Sequence, residues 1–182
     1  MLKISVPITK PATERIAGRL RQKLSPRLKH GTVQRRLATA LGSWVDEHDC
    51  GGVATEWDFR LQMPDGHVDA LVPDIAYLSY DRAGTYEIAE IPLTAPDIAV
   101  EIRSPNESRA IREQKIHRYL AAGTLLVLDV NPKAATVTVY RDGTEPVVLS
   151  DVFEDNDVAP GLKIDLRAIF ASPARGGRRR KN

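Results

Sequence analysis

Between Thr94 and Tyr119 the chain reads TAPDIAVEIRSPNESRAIREQKIHRY, and this stretch restricts the fold more than any other. Ile98, Val100 and Ile102 share one parity, whereas Asp97, Ala99, Glu101 and Arg103 share the other. In a strand the two sets point to opposite faces, so one face is wholly apolar and the other carries two carboxylates and a guanidinium. A helical pattern follows over residues 107–122. Its core-facing stripe holds Ile111, Tyr119 and Ala122, and Lys115 falls inside it. A lysine on the buried side of a helix requires a carboxylate partner, because an unpaired buried charge is costly. The nearest candidates lie on the preceding strand. An acidic strand face beneath a helical lysine is the pattern of a site rather than of a plain core.

The helix is expected to start within Ser104-Pro105-Asn106-Glu107, read as a capping box with proline at the first helical position, with Ser108 or Asn106 as alternative caps. Gly123 stops it. Upstream, Lys3–Ile8 alternates weakly, and Pro11 suits the first turn of a helix ending near Leu24, before Ser25-Pro26 breaks it. A second helix is expected from about His30 to Glu47, with Val33, Leu37, Leu41 and Trp44 on its core stripe. His30 and Gln34 extend that stripe inward. Gly51-Gly52 then turns the chain into a long strand, Val53–Gln62, and Pro64-Asp65-Gly66 marks a hairpin. The partner strand, His67–Tyr80, is interrupted near Pro73, and residues 81–93 read as an irregular excursion. After the organising helix come a buried strand, Leu125–Val130, a turn at Asn131-Pro132-Lys133, and strands at Ala135–Tyr140 and Val147–Leu149. A closing GLKIDLRAIF supplies another strand and a short helix. Antiparallel strands followed by a helical crossover indicate an α/β fold, a mixed sheet flanked by helices.

Composition narrows the setting. A chain of 182 residues with 42% hydrophobic content suits one domain over residues 1–170, with residues 1–28 as a basic helical arm and 171–182 as a basic disordered tail. No apolar run approaches the roughly 18 residues that suggest a membrane span. The absence of a signal-peptide pattern and the single Cys50 fit a reducing cytoplasm. The net charge of +2 hides an asymmetry: residues 1–48 hold 10 Lys/Arg against 3 Asp/Glu, whereas residues 49–170 hold 11 against 21. Basic ends around an acidic body favour a polyanion at the periphery and a cation nearer the centre.

The chemistry-bearing residues are Asp74, Glu101 and Lys115, with Asp97, Arg103, His30 and Gln34 around them. Carboxylates on adjacent strands can converge on one hard divalent cation, and Mg²⁺ keeps waters while using few protein oxygens. Such an ion polarises a phosphoryl oxygen and activates water. Asp97 serves equally well as a strand-entry cap or an arginine partner. Lys115 could pair structurally with Glu113 or a strand acid. His30 and Gln34 suit a helix start as well as a site wall.

Pro73-Asp74, the segment PDIAVEIRSP, then Lys115 and Tyr119 followed by AAG and a VLDVNP strand, resemble the Uma-type restriction endonuclease family of the PD-(D/E)XK nuclease superfamily. The similarity runs from His30, in the HG-x-x-Q segment, to the closing GLKIDLRAIF. The resemblance implies a restriction-endonuclease-like fold and a phosphodiesterase site that uses Mg²⁺ or Mn²⁺ at Asp74 and Glu101. Lys115 matches the helical lysine of that family. DNA is the implied partner, a homodimer is admitted, and a catalytically quiet nucleic-acid- or partner-binding module is the alternative. Arg103 departs from the family's usual aliphatic residue. It lies about 7 Å beyond Glu101 at roughly 3.3 Å per residue, so it is expected to point at the site and grip a substrate phosphate.

Overall fold

The computed structural model describes residues 11–83, 91–105 and 107–172. The Lys3–Ile8 segment, Asn106 and most of the basic tail lie outside these residues. The chain opens with β1 (Thr13–Ile16) and β2 (Arg19–Gln22), followed by α1 (Leu28–His48) and β3 (Gly51–Thr55). Next come β4 (Phe59–Gln62), β5 (Val68–Leu71), β6 (Ile75–Ser79), the single turn α2 (Tyr80–Ala83), β7 (Ile98–Ile102) and α3 (Arg109–Ala121). The chain closes through β8 (Leu126–Asn131), β9 (Thr136–Tyr140), β10 (Val147–Leu149), β11 (Val152–Asp155), β12 (Leu162–Asp165) and α4 (Leu166–Phe170).

Six strands form the main sheet in the order β10-β9-β8-β7-β6-β3, and four form a second sheet, β2-β1-β5-β4. Strands β7 and β8 are parallel, joined by the α3 crossover, while the other paired neighbours run antiparallel. The alternation of β7 separates two cores. Ile98, Val100 and Ile102 pack with Val33, Leu37, Leu41 and Trp44 of α1 and with Phe153, Leu162 and Ile169 of the closing elements. On the other face Ala99 and Val127 meet Ile116 and Tyr119 of α3 together with Phe59, Leu61 and Leu71 of the second sheet. Among the described residues, no helix is long and apolar enough to cross a membrane.

The structure departs from the sequence expectations in its strands and opening segment. The segment before Leu24 is a β-hairpin, not a helical arm. Ala17 and Gly18 take φ of 47° and 77°, the positive values that a two-residue hairpin loop needs, and Ile16 pairs with Arg19. Glu14 and Ile16 turn inward on alternate positions, while Leu20 and Leu24 remain exposed. The long strand over 53–62 is broken at Glu56, whose φ of 53° ends β3, so that β4 joins the other sheet. Strand β11, with only Phe153 and Asp155 buried, was not foreseen. Helix α3 chooses Ser108 as its cap, accepting from the Ile111 N–H, because Ser104 to Glu107 is already closed as a turn.

Two glycines offer opposite tests. A Cβ at Gly51 would lie 2.3 Å from the Leu78 carbonyl oxygen and 2.8 Å from the Ser79 Cα, both backbone atoms of the adjacent strand. Within α1, a Cβ at Gly42 meets nothing within 4 Å. Gly51→Ala should destabilise by about 1–3 kcal/mol through overpacking, and Gly42→Ala should stabilise by about 0.5–1 kcal/mol. Urea unfolding of both variants checks the pair, and equal midpoints would contradict this packing.

Candidate active site

The register of β6 on β7 pairs Ile75 with Val100, so Asp74, one residue before β6, stands opposite Glu101. Both carboxylates line one cavity of about 230 Å³, walled also by Glu14, Lys23, His30 and Lys115. Glu101 is buried at 5% exposure and Lys115 at 3%. The Lys115 ammonium lies 2.7 Å from both Glu101 oxygens and 3.0 Å from Glu14 Oε1. The Tyr119 hydroxyl donates to Glu101 Oε1 at 2.8 Å, from the next turn of the same helix. Lysine and tyrosine four residues apart on α3 therefore cover one carboxylate.

Asp74 is held as firmly. Its Oδ2 accepts from the Ile102 N–H at 2.6 Å and lies 3.1 Å from His30 Nε2. Its Oδ1 accepts from Lys23 Nζ at 2.8 Å, and the same ammonium donates to the Val72 carbonyl and pairs with Glu56. Gln34 donates to the Asp74 main-chain carbonyl at 2.8 Å and to Glu56, so it braces the backbone without lining the cavity.

Four carboxyls, Glu14, Glu56, Asp74 and Glu101, thus share two ammonium groups. Burial works against the Asp74 carboxylate, but Lys23 and then His30 outweigh it and hold its pKa well below the ordinary aspartate value. Burial also opposes the Lys115 ammonium, yet Glu101, Glu14 and Asp74 keep it charged. The surplus falls on Glu101. Burial pushes its carboxyl up to about 8, against the pull of Lys115 and with the added repulsion of Asp74. Glu107, at the same cavity, is raised by burial as well.

Besides Gln34, two of the expected residues are not brought into the cavity. Asp97, four residues before Glu101, sits about 13 Å up the strand at roughly 3.3 Å per residue. Its Oδ2 accepts from the Ser79 N–H at 2.7 Å, and Arg82 lies 3.8 Å from Oδ1, so it ties α2 to the sheet. Arg103 follows the last residue of β7, and its guanidinium forks onto Asp129 at 2.8 and 2.6 Å. Because the parallel register sets Glu101 beside Asp129, α3 serves both: Lys115 covers Glu101, and Arg112, three residues earlier, lies 3.3 Å from Asp129. Arg103, expected to point at the site, is thus committed to Asp129, while Lys115 takes Glu101.

Glu14, Lys23 and Asp129 were missed from the sequence. The first two lay in a segment read as helical, where Gly18 and the alternation of Glu14 with Ile16 were the available signals. Asp129 announced itself as an acid inside the apolar run LLVLDV. Its burial at 1% required a cationic partner.

Carboxylate oxygens of Asp74 and Glu101, with Glu14 nearby, are the atoms here that could hold a hard cation. Among the described residues no three His, Cys, Asp or Glu side chains gather as a metal cluster. Stability should report the charge balance. Glu101 holds its proton far more tightly folded, near 8, than at the ordinary 4.5. Its contribution is therefore full below that ordinary value and is lost as the pH rises through about 8. Glu101→Gln, which never ionises, should gain stability relative to the wild type between about pH 5 and about pH 8.5. Urea midpoints at the two pH values measure it, and an unchanged difference would mean that Glu101 is ionised throughout.

Residues 6–167 match the model of the Uma2 family, described as "Putative restriction endonuclease". Among solved structures, the crystal structure of a "putative nuclease belonging to DUF820" from Anabaena variabilis is similar, with a TM-score of 0.81 and 29% identity. The match covers 91% of this chain and 93% of that one. No curated protein matches the chain. The likeness bears out the restriction-endonuclease-like mixed sheet. Since the family model spans every element from β1 to β12 and all the cavity residues described above, the chain belongs to the Uma2 family of restriction-endonuclease-like proteins.

Proposed function

We propose that this protein is a metal-dependent endonuclease that hydrolyses phosphodiester bonds in DNA. The observation that carries the reading is the joining of Asp74, Glu101 and Lys115 in one cavity at the edge of α3 and β7. Two carboxylates from neighbouring chain segments, with room for water, fit Mg²⁺ or Mn²⁺, which keep several waters and need no all-protein cage. Asp74 and Glu101 would hold the ion. When bound, it supplies Lewis-acid polarisation of a phosphoryl oxygen and lowers the pKa of an attacking water.

The chain's own residues do the rest. Lys115, the donor nearest Glu101, positions the attacking water or stabilises charge developing on the phosphate. Tyr119 fixes the Glu101 carboxylate, and His30 with the Ile102 N–H fixes Asp74. Lys23 holds Asp74 Oδ1 as an internal counter-charge, so an incoming dication must compete with it or share the oxygen. The long burial of these groups in a low-dielectric pocket strengthens each of these interactions.

Titration calorimetry with Mn²⁺ tests the site. Asp74→Asn and Glu101→Gln should each weaken binding at least about tenfold, the loss of about 1.4 kcal/mol or more. Lys23→Met should tighten it. On DNA substrates Lys115→Ala should abolish turnover while leaving substrate affinity nearly intact, the pattern of an interaction made only in the transition state. Unchanged Mn²⁺ affinity in both carboxylate variants would sink the metal site. A wild type that binds neither ion would favour the quiet binding module.

A further inference from the structure

A second cavity of about 440 Å³ adjoins the acidic one, and His30 and Ser104 wall both. Its character is opposite. Arg27, Lys29, Arg103, Arg112 and Lys133 line it, and the acid these side chains reach is the buried Asp129, which Arg103 and Arg112 share. Two guanidiniums on one carboxylate leave a net positive charge, and Arg27, Lys29 and Lys133 are exposed.

The N-terminus of α1 opens here as well. Arg27 is its N-cap and forms no side-chain cap bond, and the first turn holds no acidic residue. Arg27, Lys29 and His30 of this 21-residue helix's N-terminus line the groove, and no anionic side chain caps it. His30, in that first turn and only 7% exposed, uses Nε2 on Asp74 and leaves Nδ1 buried without a partner. A buried polar atom lacking a partner is rare. No Phe, Tyr or Trp is among the described residues lining the groove, and the His30 ring is buried against Asp74. The groove therefore offers charge and N–H donors but no stacking platform for bases.

We propose that this groove is a phosphate track, which leads the backbone of a nucleic-acid strand into the Asp74–Glu101 cavity and contributes affinity without reading sequence. The inference rests on the nuclease reading, because it is the shared His30–Ser104 wall that makes the track lead to that cavity. Backbone contacts of this kind position a polymer and carry no base information. Each phosphate neutralised releases condensed counterions, so the track has a measurable salt signature.

The triple variant Arg27→Ala/Lys29→Ala/Lys133→Ala removes the exposed cations and no ion pair described above. Binding of two labelled DNA duplexes of unrelated sequence is followed by fluorescence anisotropy in EDTA across a salt series. The variant should bind both at least about tenfold more weakly, and its log–log salt slope should shrink by about 2 to 3, near 0.9 per lost phosphate contact. An unchanged slope beside intact wild-type binding would overturn the track. Loss confined to one sequence would overturn its backbone-only character. A wild type that binds neither duplex overturns the track together with DNA as the substrate. A wild type that shows the groove-dependent slope but cleaves nothing in Mn²⁺ upholds the track and removes the nuclease reading alone.

Discussion

The buried ion pair of Lys115 with Glu14, to which the Glu101 carboxyl is also bonded, is the contact on which the rest of the site depends. Three separate elements meet at one ammonium: the opening hairpin, the central strand and the crossover helix. Breaking such a pair by removing one partner typically costs about 3–5 kcal/mol, whereas replacing both with apolar groups is often neutral. Stability alone therefore gives no reason for a lysine here. A charged pair in a cavity is a standing expense that chemistry can justify.

The hairpin shows how tightly the cluster organises its surroundings. Glu14 meets Lys115 and also accepts from the Val72 N–H at 3.0 Å, beside the Pro73–Asp74 corner. Asp69, fully buried, accepts from the Ala17 N–H in the hairpin loop and from Arg118 of α3. Lys23 then follows β2 back to Asp74. An opening segment that could have been a loose arm is thus pinned at four places, and it forms one wall of the cavity.

Charge is sorted in space by the same register. Glu101 and Asp129 lie side by side on parallel strands, yet one faces a cavity rich in carboxyls and the other anchors two arginines beside a basic groove. The overall charge of +2 shows none of this. The acidic pocket and the basic groove therefore adjoin, with His30 and Ser104 in both walls.

Much of this was legible in the order of residues. The strict alternation of β7 and the inward stripe of α3 determined that Glu101 and Lys115 share a face, because strand and helix periods are local properties of the backbone. The stripe of Val33, Leu37, Leu41 and Trp44 placed α1 and turned His30 inward. Asp74 was marked by its proline and by resemblance. What the tertiary structure alone decided is which charges meet. Glu14 and Lys23 lie dozens of residues from their partners, and Arg103 had two carboxylates within reach of its strand. Only the packed register, by bringing Asp129 beside Glu101 and the hairpin over Val72, chose between them, since ion pairing depends on distances that no local period encodes.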